Sequence, residues 1–255
     1  MSPAGFLTGR LDRLRTSKIN KKPPGSKSES ITPLPLPWKL IRPFVSMKQE
    51  VFNSPLNKSS FKSDNPQLFP VMEYGNFENL IFYDLETTGL SGGAGTIAFL
   101  AGFGWIEKSR LIINQYFLHD FPGEIDFLLL INELLAPGKI LVSYNGKSFD
   151  HPLLGTRFLM KGLKLHELPE IDLLHAARRL WKKRLPTCRL GTIESNILGI
   201  HRIDDVPGIE VPDIYFDYLK NGQETRLAGV FKHHLQDIKS LAGLLAHMEK
   251  LWSNP

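Results

Sequence analysis

Residues 79–90 read NLIFYDLETTGL, a short apolar run that ends in two carboxylates. Leu80, Ile81 and Phe82 mark a buried strand. Asp84 and Glu86 stand at i and i+2 on it, so both project from one face. Two carboxylates at the end of a central strand are costly to bury, because like charges repel and low dielectric penalises ionisation. A divalent cation removes that cost. Mg²⁺ or Mn²⁺ prefers hard oxygen ligands and keeps several waters, so a few carboxylates suffice.

Outward from this strand the pattern alternates. GTIAFLAGFGWIE (95–107) and RLIINQYFLHD (110–120) read as two more strands, with EKSR between them as a hairpin connection. Residues 125–138 form an apolar-periodic helix stopped by Pro-Gly, and KILVSYN (139–145) is another buried strand ended by Asn-Gly. A helix follows over 149–162, with Pro152 tolerated in its first turn. Further helical signals cover 172–183, 189–199, 212–222 and 225–252. Three strands, then helix, strand and more helices predict an α/β fold with a mixed central sheet flanked by helices.

Residues 1–75 differ in kind. They are rich in Pro, Ser, Lys and Asn, and the prolines of ITPLPLPWKLIRPF (31–44) forbid an interior helix. Residues 1–48 carry ten Lys/Arg against two Asp/Glu, an excess of +8, whereas the whole chain of 255 residues carries +5. The remaining 207 residues therefore sum to −3. A basic, largely disordered N-terminal arm or loosely docked extension (1–75) before a folded domain (76–255) is the expectation. Such an arm is either a solvated tail or an attraction to polyanions, nucleic acid above all. One cysteine, Cys188, excludes a disulfide framework within the chain. No apolar run approaches the roughly 18 residues that span a bilayer, and the basic N-terminus lacks the apolar segment of a secretory signal. A cytoplasmic protein with no membrane partner is expected.

Two later carboxylates share the logic of the first pair. Asp150 ends SYNGKSFD directly after a strand, where it is either a helix N-cap or a cation ligand. Asp237, in FKHHLQDIKSL, lies beside the apolar stripe of the last helix, with His233 one turn earlier on the same face. An Asp-x-Glu on the first strand, an Asp after a later one and a His-x-x-x-Asp on a late helix form a recognisable order.

That order resembles the DEDD 3′–5′ exonuclease superfamily, with DLETTGL, YNGKSFD and HHLQD as its three motifs. Within it the sequence is similar to the YprB-type ribonuclease H-like family, on FYDLETTGLSGGAGTIAFLAG, LVSYNGKSFDHPLL, DLLHAARRLW and RIDDVPG. The resemblance covers about residues 73–250 and implies a ribonuclease H-like fold. It further implies two divalent ions, Mg²⁺ or Mn²⁺, held by Asp84, Glu86, Asp150 and Asp237, and hydrolysis of nucleic acid, at single-stranded ends, by a two-metal mechanism. The superfamily places a His five residues, or a Tyr four residues, before its last Asp. Here the first position is Lys232 and the second His233. An imidazole with an ordinary pKa of about 6.5 suits a general base, with His234 as its competitor. The resemblance implies that Thr87 and Leu90 line the pocket of the terminal nucleotide, the alternative being turn chemistry and one apolar contact. Tyr144, Asn145 and Phe149 are placed to contact base, sugar or phosphate, with core packing the alternative for Phe149. Asp172 is read as a helix cap. The basic stretch Arg178, Arg179, Lys182, Lys183, Arg184 and Arg189 is either a phosphate-tracking surface or a solvated face. The competing functions are a binding module that has lost catalysis and an endonuclease on the same fold.

Overall fold

The computed structural model describes residues 34–35, 37–56, 77–89, 95–222 and 224–253. Seven strands form one mixed sheet: β1 (Lys39–Arg42), β2 (Val45–Asn53), β3 (Leu80–Thr87), β4 (Ala98–Glu107), β5 (Arg110–Leu118), β6 (Ile140–Ser143) and β7 (Glu170–Asp172). Their spatial order is β1-β2-β5-β4-β3-β6-β7. The pairs from β1 to β3 are antiparallel, and β3-β6 and β6-β7 are parallel. The β4–β5 hairpin turns on Lys108 (φ 48°) and Ser109 (φ 65°), the two left-handed residues a two-residue turn of this twist requires.

Helices cover both faces: α1 (Glu124–Leu134), α2 (Asp150–Met160), α3 (Leu173–Trp181), α4 (Leu190–Ile193), α5 (Val211–Asn221) and α6 (Leu227–Ser253). The pleat of β3 sorts its side chains between two cores. Ile81, Tyr83 and Leu85 join the cluster built with α1, α2 and α5, while Leu80 and Phe82 join the one built with α3 and most of α6. Asp84 and Glu86 continue the second row beyond its apolar part. The α/β expectation with a mixed, helix-flanked sheet holds.

Two features depart from the sequence reading. Residues 39–53, assigned above to the extension, form β1 and β2, and β2 pairs with β5 from Val45–Leu118 to Asn53–Arg110. Leu34 and Trp38 are buried with them, and the Trp38 ring lies 4.4 Å from that of Phe231 on α6. The described residues from Leu34 onward thus belong to one compact unit. The strand signal was weak for a physical reason. Both strands are half-exposed, so polar residues alternate through them, and Pro43 sits in their turn, where it costs no ladder hydrogen bond. The expected disorder of the arm over 1–33 lies outside the described residues. The second departure is β7, three residues long, which the sequence reading left unassigned except for Asp172, placed in the helix that follows.

His119, given no role from sequence, ties the hairpin to α5. Its Nε2 is 2.7 Å from Ser46 Oγ and its Nδ1 2.6 Å from Tyr218 Oη. Burial lowers its pKa from the ordinary 6.5 to about 4. Between those values the unfolded chain binds the extra proton and the folded chain does not. The neutral ring's contribution is therefore complete above pH 6.5 and is lost as pH falls towards 4, by about 3 kcal/mol in all. Chemical unfolding across this range should show a shallower acid loss in His119→Gln than in the parent, and identical slopes would disprove the assignment.

Candidate active site

The site forms where β3, the loop after β6, and α6 meet. Gly102 on β4 is the register partner of Asp84, and a Cβ there would lie 2.0 Å from Ile238 Cδ1 and 2.5 Å from His234 Cε1. Gly104 has the same relation to Ile238 Cγ2, at 2.9 Å. The missing side chains let α6 lie close on the sheet and bring Asp237 and His233 over the end of β3. Glu86, His233 and Asp237 each place a ligand atom within 4.8 Å of the others. That closest group does not include Asp84 or Asp150, whose charges nonetheless act on it.

Asp84 and Glu86 are both held well above the usual carboxylate range, first by burial and then by the charges of Asp237 and Asp150; Arg202 opposes the shift. Burial also raises Asp237, against the pull of His233 and Arg202. Asp150 is pushed up to about 8 by burial, with Glu170 and Asp172 adding to it. Four carboxylates of hard oxygen atoms, each disfavouring its neighbours' ionisation, are the donor set a divalent cation stabilises. The residues present fit a divalent cation.

The two histidines separate clearly. His234 is fully buried; its Nδ1 lies 3.0 Å from Gln115 Nε2 and its Nε2 3.0 Å from the Asp84 carbonyl oxygen. Since the amide nitrogen can only donate and the carbonyl only accept, the proton is on Nε2. Burial lowers its pKa to about 4, so it stays neutral and anchors the Asp84 backbone. His233 is the one that faces the carboxylates, with Nε2 3.3 Å from Asp237 Oδ2 and 4.0 Å from Glu86 Oε1.

Asp150 is the first residue of α2 and not its N-cap, since Phe149 occupies that position without a side-chain bond. The capping alternative for Asp150 is thereby removed. Asp172 does cap α3, accepting from Leu174 N–H, and also accepts the Asn145 N–H at 2.7 Å. Asn145 has φ 70°, and its carbonyl accepts the Ser148 N–H at 3.1 Å in the turn that leads to α2. Tyr144 lies on the cleft wall with its hydroxyl on the Cys188 carbonyl at 2.6 Å, and Phe149 is exposed. Thr87 closes a local turn onto the Gly89 carbonyl at 2.8 Å. Leu90 lies outside the described residues.

Sequence reasoning missed the cation of the site. Arg202 donates through Nε and Nη2 to the two oxygens of buried Glu194 at 2.7 and 2.6 Å, through Nη2 to Asp237 Oδ1, and through Nη1 to Asp205 Oδ2 at 3.2 Å. Burial disfavours its charge, but Glu194 and Asp237 more than offset that and hold it protonated. Ser240 of α6 donates in turn to Glu194. The stretch RIDDVPG was visible as part of a resemblance, yet nothing in its spacing tells which side chains reach the site. Asp84, Tyr144, Arg202, Asp205, His233 and Asp237, with Leu190 and Gly191, line a cleft of about 290 Å³.

The fold and this cluster of carboxylates define a protein of the ribonuclease H-like class. Residues 81–249 match the RNase_H superfamily, and the chain belongs to it. It is 42% identical over 180 residues to "Uncharacterized protein YprB" of Bacillus subtilis (strain 168), across 69% of this chain and 43% of that protein. The chain thus spans less than half the length of this relative. Among solved structures it resembles the family B DNA polymerase of the archaeon Pyrobaculum calidifontis, with a TM-score of 0.52 and 14% identity over 68% of this chain and 24% of that one. A looser overlay, TM-score 0.45 at 14% identity, relates 67% of it to 40% of E. coli Exonuclease I in complex with a 5cy-dT13 oligonucleotide. Among the described residues no helix is long and apolar enough to cross a membrane.

Gly102→Ala tests the close approach of α6. The added methyl should cost about 1–3 kcal/mol by overpacking, lowering the melting temperature by about 2–4 °C for each kcal/mol in a chain of this size. An unchanged melting curve would show that α6 does not depend on that gap.

Proposed function

We propose that this chain is a metal-dependent nuclease that hydrolyses phosphodiester bonds of nucleic acid from the 3′ end. One observation supports the reading: burial and the charges of Asp237 and Asp150 hold Asp84 and Glu86 well above the usual carboxylate range, and burial raises Asp150 and Asp237 as well. Two divalent cations held by these carboxylates would supply activation of water and stabilisation of the leaving oxygen. The direction of attack rests on the three motifs of the exonuclease resemblance.

The chain's own groups then divide the work. His233 Nε2 faces the carboxylates and takes the proton of the attacking water. His234 keeps the Asp84 backbone in place. Tyr144 and the exposed ring of Phe149 offer stacking surfaces for bases, and Asn145, Thr87 and Leu90 are assigned to the terminal nucleotide. Arg178, Arg179, Lys182, Lys183, Arg184 and Arg189 are all exposed on α3 and the segment leading to Leu190 at the cleft wall. That basic run suits the backbone of a single strand, DNA or RNA.

The guanidinium of Arg202 against Asp237 favours a second reading, a nucleic-acid-binding module without catalysis, because it already neutralises part of the cluster. Calorimetry with Mn²⁺ separates the two, since a binding module should show no uptake that depends on Asp84 and Asp237. Asp84→Asn should reduce Mg²⁺-dependent degradation of an end-labelled single strand by about 100-fold or more while leaving the fold intact. Undiminished degradation by that variant would sink the nuclease assignment, and cleavage of a closed circle would turn it into an endonuclease.

A further inference from the structure

The loop between the π-helical turn at Glu194–Leu198 and α5 carries Arg202, Ile203, Asp204 and Asp205. Asp204 has φ 53°, a left-handed conformation that an aspartate tolerates better than most residues. Arg202 and Asp205 both reach back to α6, while Ile203 is 74% exposed. Both Asp205 oxygens lie 2.9 Å from His233 Nδ1.

We propose that Asp205 is a positioning residue that fixes the tautomer of His233, with the proton on Nδ1 and the Nε2 lone pair turned to the carboxylate cluster. An ionised carboxylate only accepts, so the nitrogen between its two oxygens must donate. Nε2 then turns its lone pair towards Asp237 Oδ2 and Glu86 Oε1. That leaves room for one donor, such as a water held by the same carboxylates. The opposite tautomer would set the Nδ1 lone pair against both Asp205 oxygens at contact distance.

Asp205 is itself held from behind. Arg202 Nη1 donates to it, and Arg202 is braced on Glu194, which is fully buried and receives the Ser240 hydroxyl. Arg202 Nη1 also lies 3.1 Å from His233 Nδ1. In the proposed tautomer both are donors and do not bond each other; each reaches instead for Asp205. The chain Ser240–Glu194–Arg202–Asp205–His233 begins and ends on α6, and so sets the ring relative to the helix that carries Asp237. Oriented histidines of this kind owe their tautomer to the partner of the other ring nitrogen. The role in proton abstraction rests on the nuclease reading; the tautomer does not.

The test separates the two. Imidazole ¹⁵N spectra of the full chain in EDTA at pH 9, with His233 assigned by comparison with His233→Gln, report which nitrogen is protonated. The parent should show Nδ1 protonated and Nε2 bare. Asp205→Asn keeps the shape, but its amide can turn its oxygen to Arg202 and its NH₂ to Nδ1, so the proton should move to Nε2. A parent ring protonated on Nε2, or an Asn variant whose ring is unchanged, overturns the proposal whether or not any nucleic acid is cleaved. On an end-labelled oligonucleotide with Mg²⁺, Asp205→Asn should lower kcat by about 10–100-fold with KM within about twofold. A variant with the shifted tautomer and full kcat removes the catalytic consequence of the positioning.

Discussion

The close approach of α6 to the sheet is the constraint on which the site depends. Asp84 and Glu86 sit on a strand and Asp237 and His233 on a helix, and only their separation decides whether they act as one group. Gly102, opposite Asp84, and Gly104 leave the depressions that Ile238 and His234 fill. With any side chain there, the helix would ride higher, and the 3.0 Å contact of His234 with the Asp84 carbonyl could not form. The packing of one apolar side chain thus sets the spacing of carboxylates on two elements. The pleat of β3 completes this, since the row that buries Leu80 and Phe82 under α6 is the row that carries Asp84 and Glu86.

The electrostatics follow from the packing. Drawing four carboxylates together disfavours ionisation of each, and this costs folding free energy unless a positive charge is near. Arg202 meets part of the demand within the chain, through one oxygen of Asp237, and leaves the other facing Glu86 and His233. Glu194 is what makes this possible. An arginine spanning only Asp237 and solvent would be free to leave, whereas one paired through both Nε and Nη2 to a buried carboxylate has a fixed plane. The cation is therefore part of the architecture of the site, and it limits how much further positive charge the cluster takes up.

How far the sequence shows this depends on the range of each signal. The core strands and helices were legible because alternation and helical periodicity act within a few residues, and the acidic positions because they interrupt apolar runs at regular offsets. The β1–β2 hairpin was not, because a half-exposed strand lacks a clean apolar face and its prolines resemble a linker. β7 failed for its length: three residues carry no period, and Asp172 at its end reads equally well as the cap it also is. Arg202, Asp205 and Glu194 were invisible as a group, since the separation of 8 residues between Glu194 and Arg202, and of 28 between Asp205 and His233, has no local rule behind it.

The adjacent pair His233–His234 shows how finely the helix divides labour. Neighbouring positions on a helix point about 100° apart, so at most one of two adjacent histidines can face the cleft while the other faces the sheet. Ile238, four residues after His234, packs over Gly104, which fixes His234 as the buried member; Asp237, four residues after His233, fixes the other at the cleft. The buried ring remains neutral because burial lowers its pKa to about 4, and it bonds an amide and a carbonyl. The half-buried ring of His233 is left with a carboxylate on one nitrogen and the cluster on the other. A shift of α6 by one residue would break both placements, taking His234 off the Asp84 carbonyl and His233 off Asp237 and Asp205. The register that the glycines of β4 impose is thus also what keeps His233 on the cleft side.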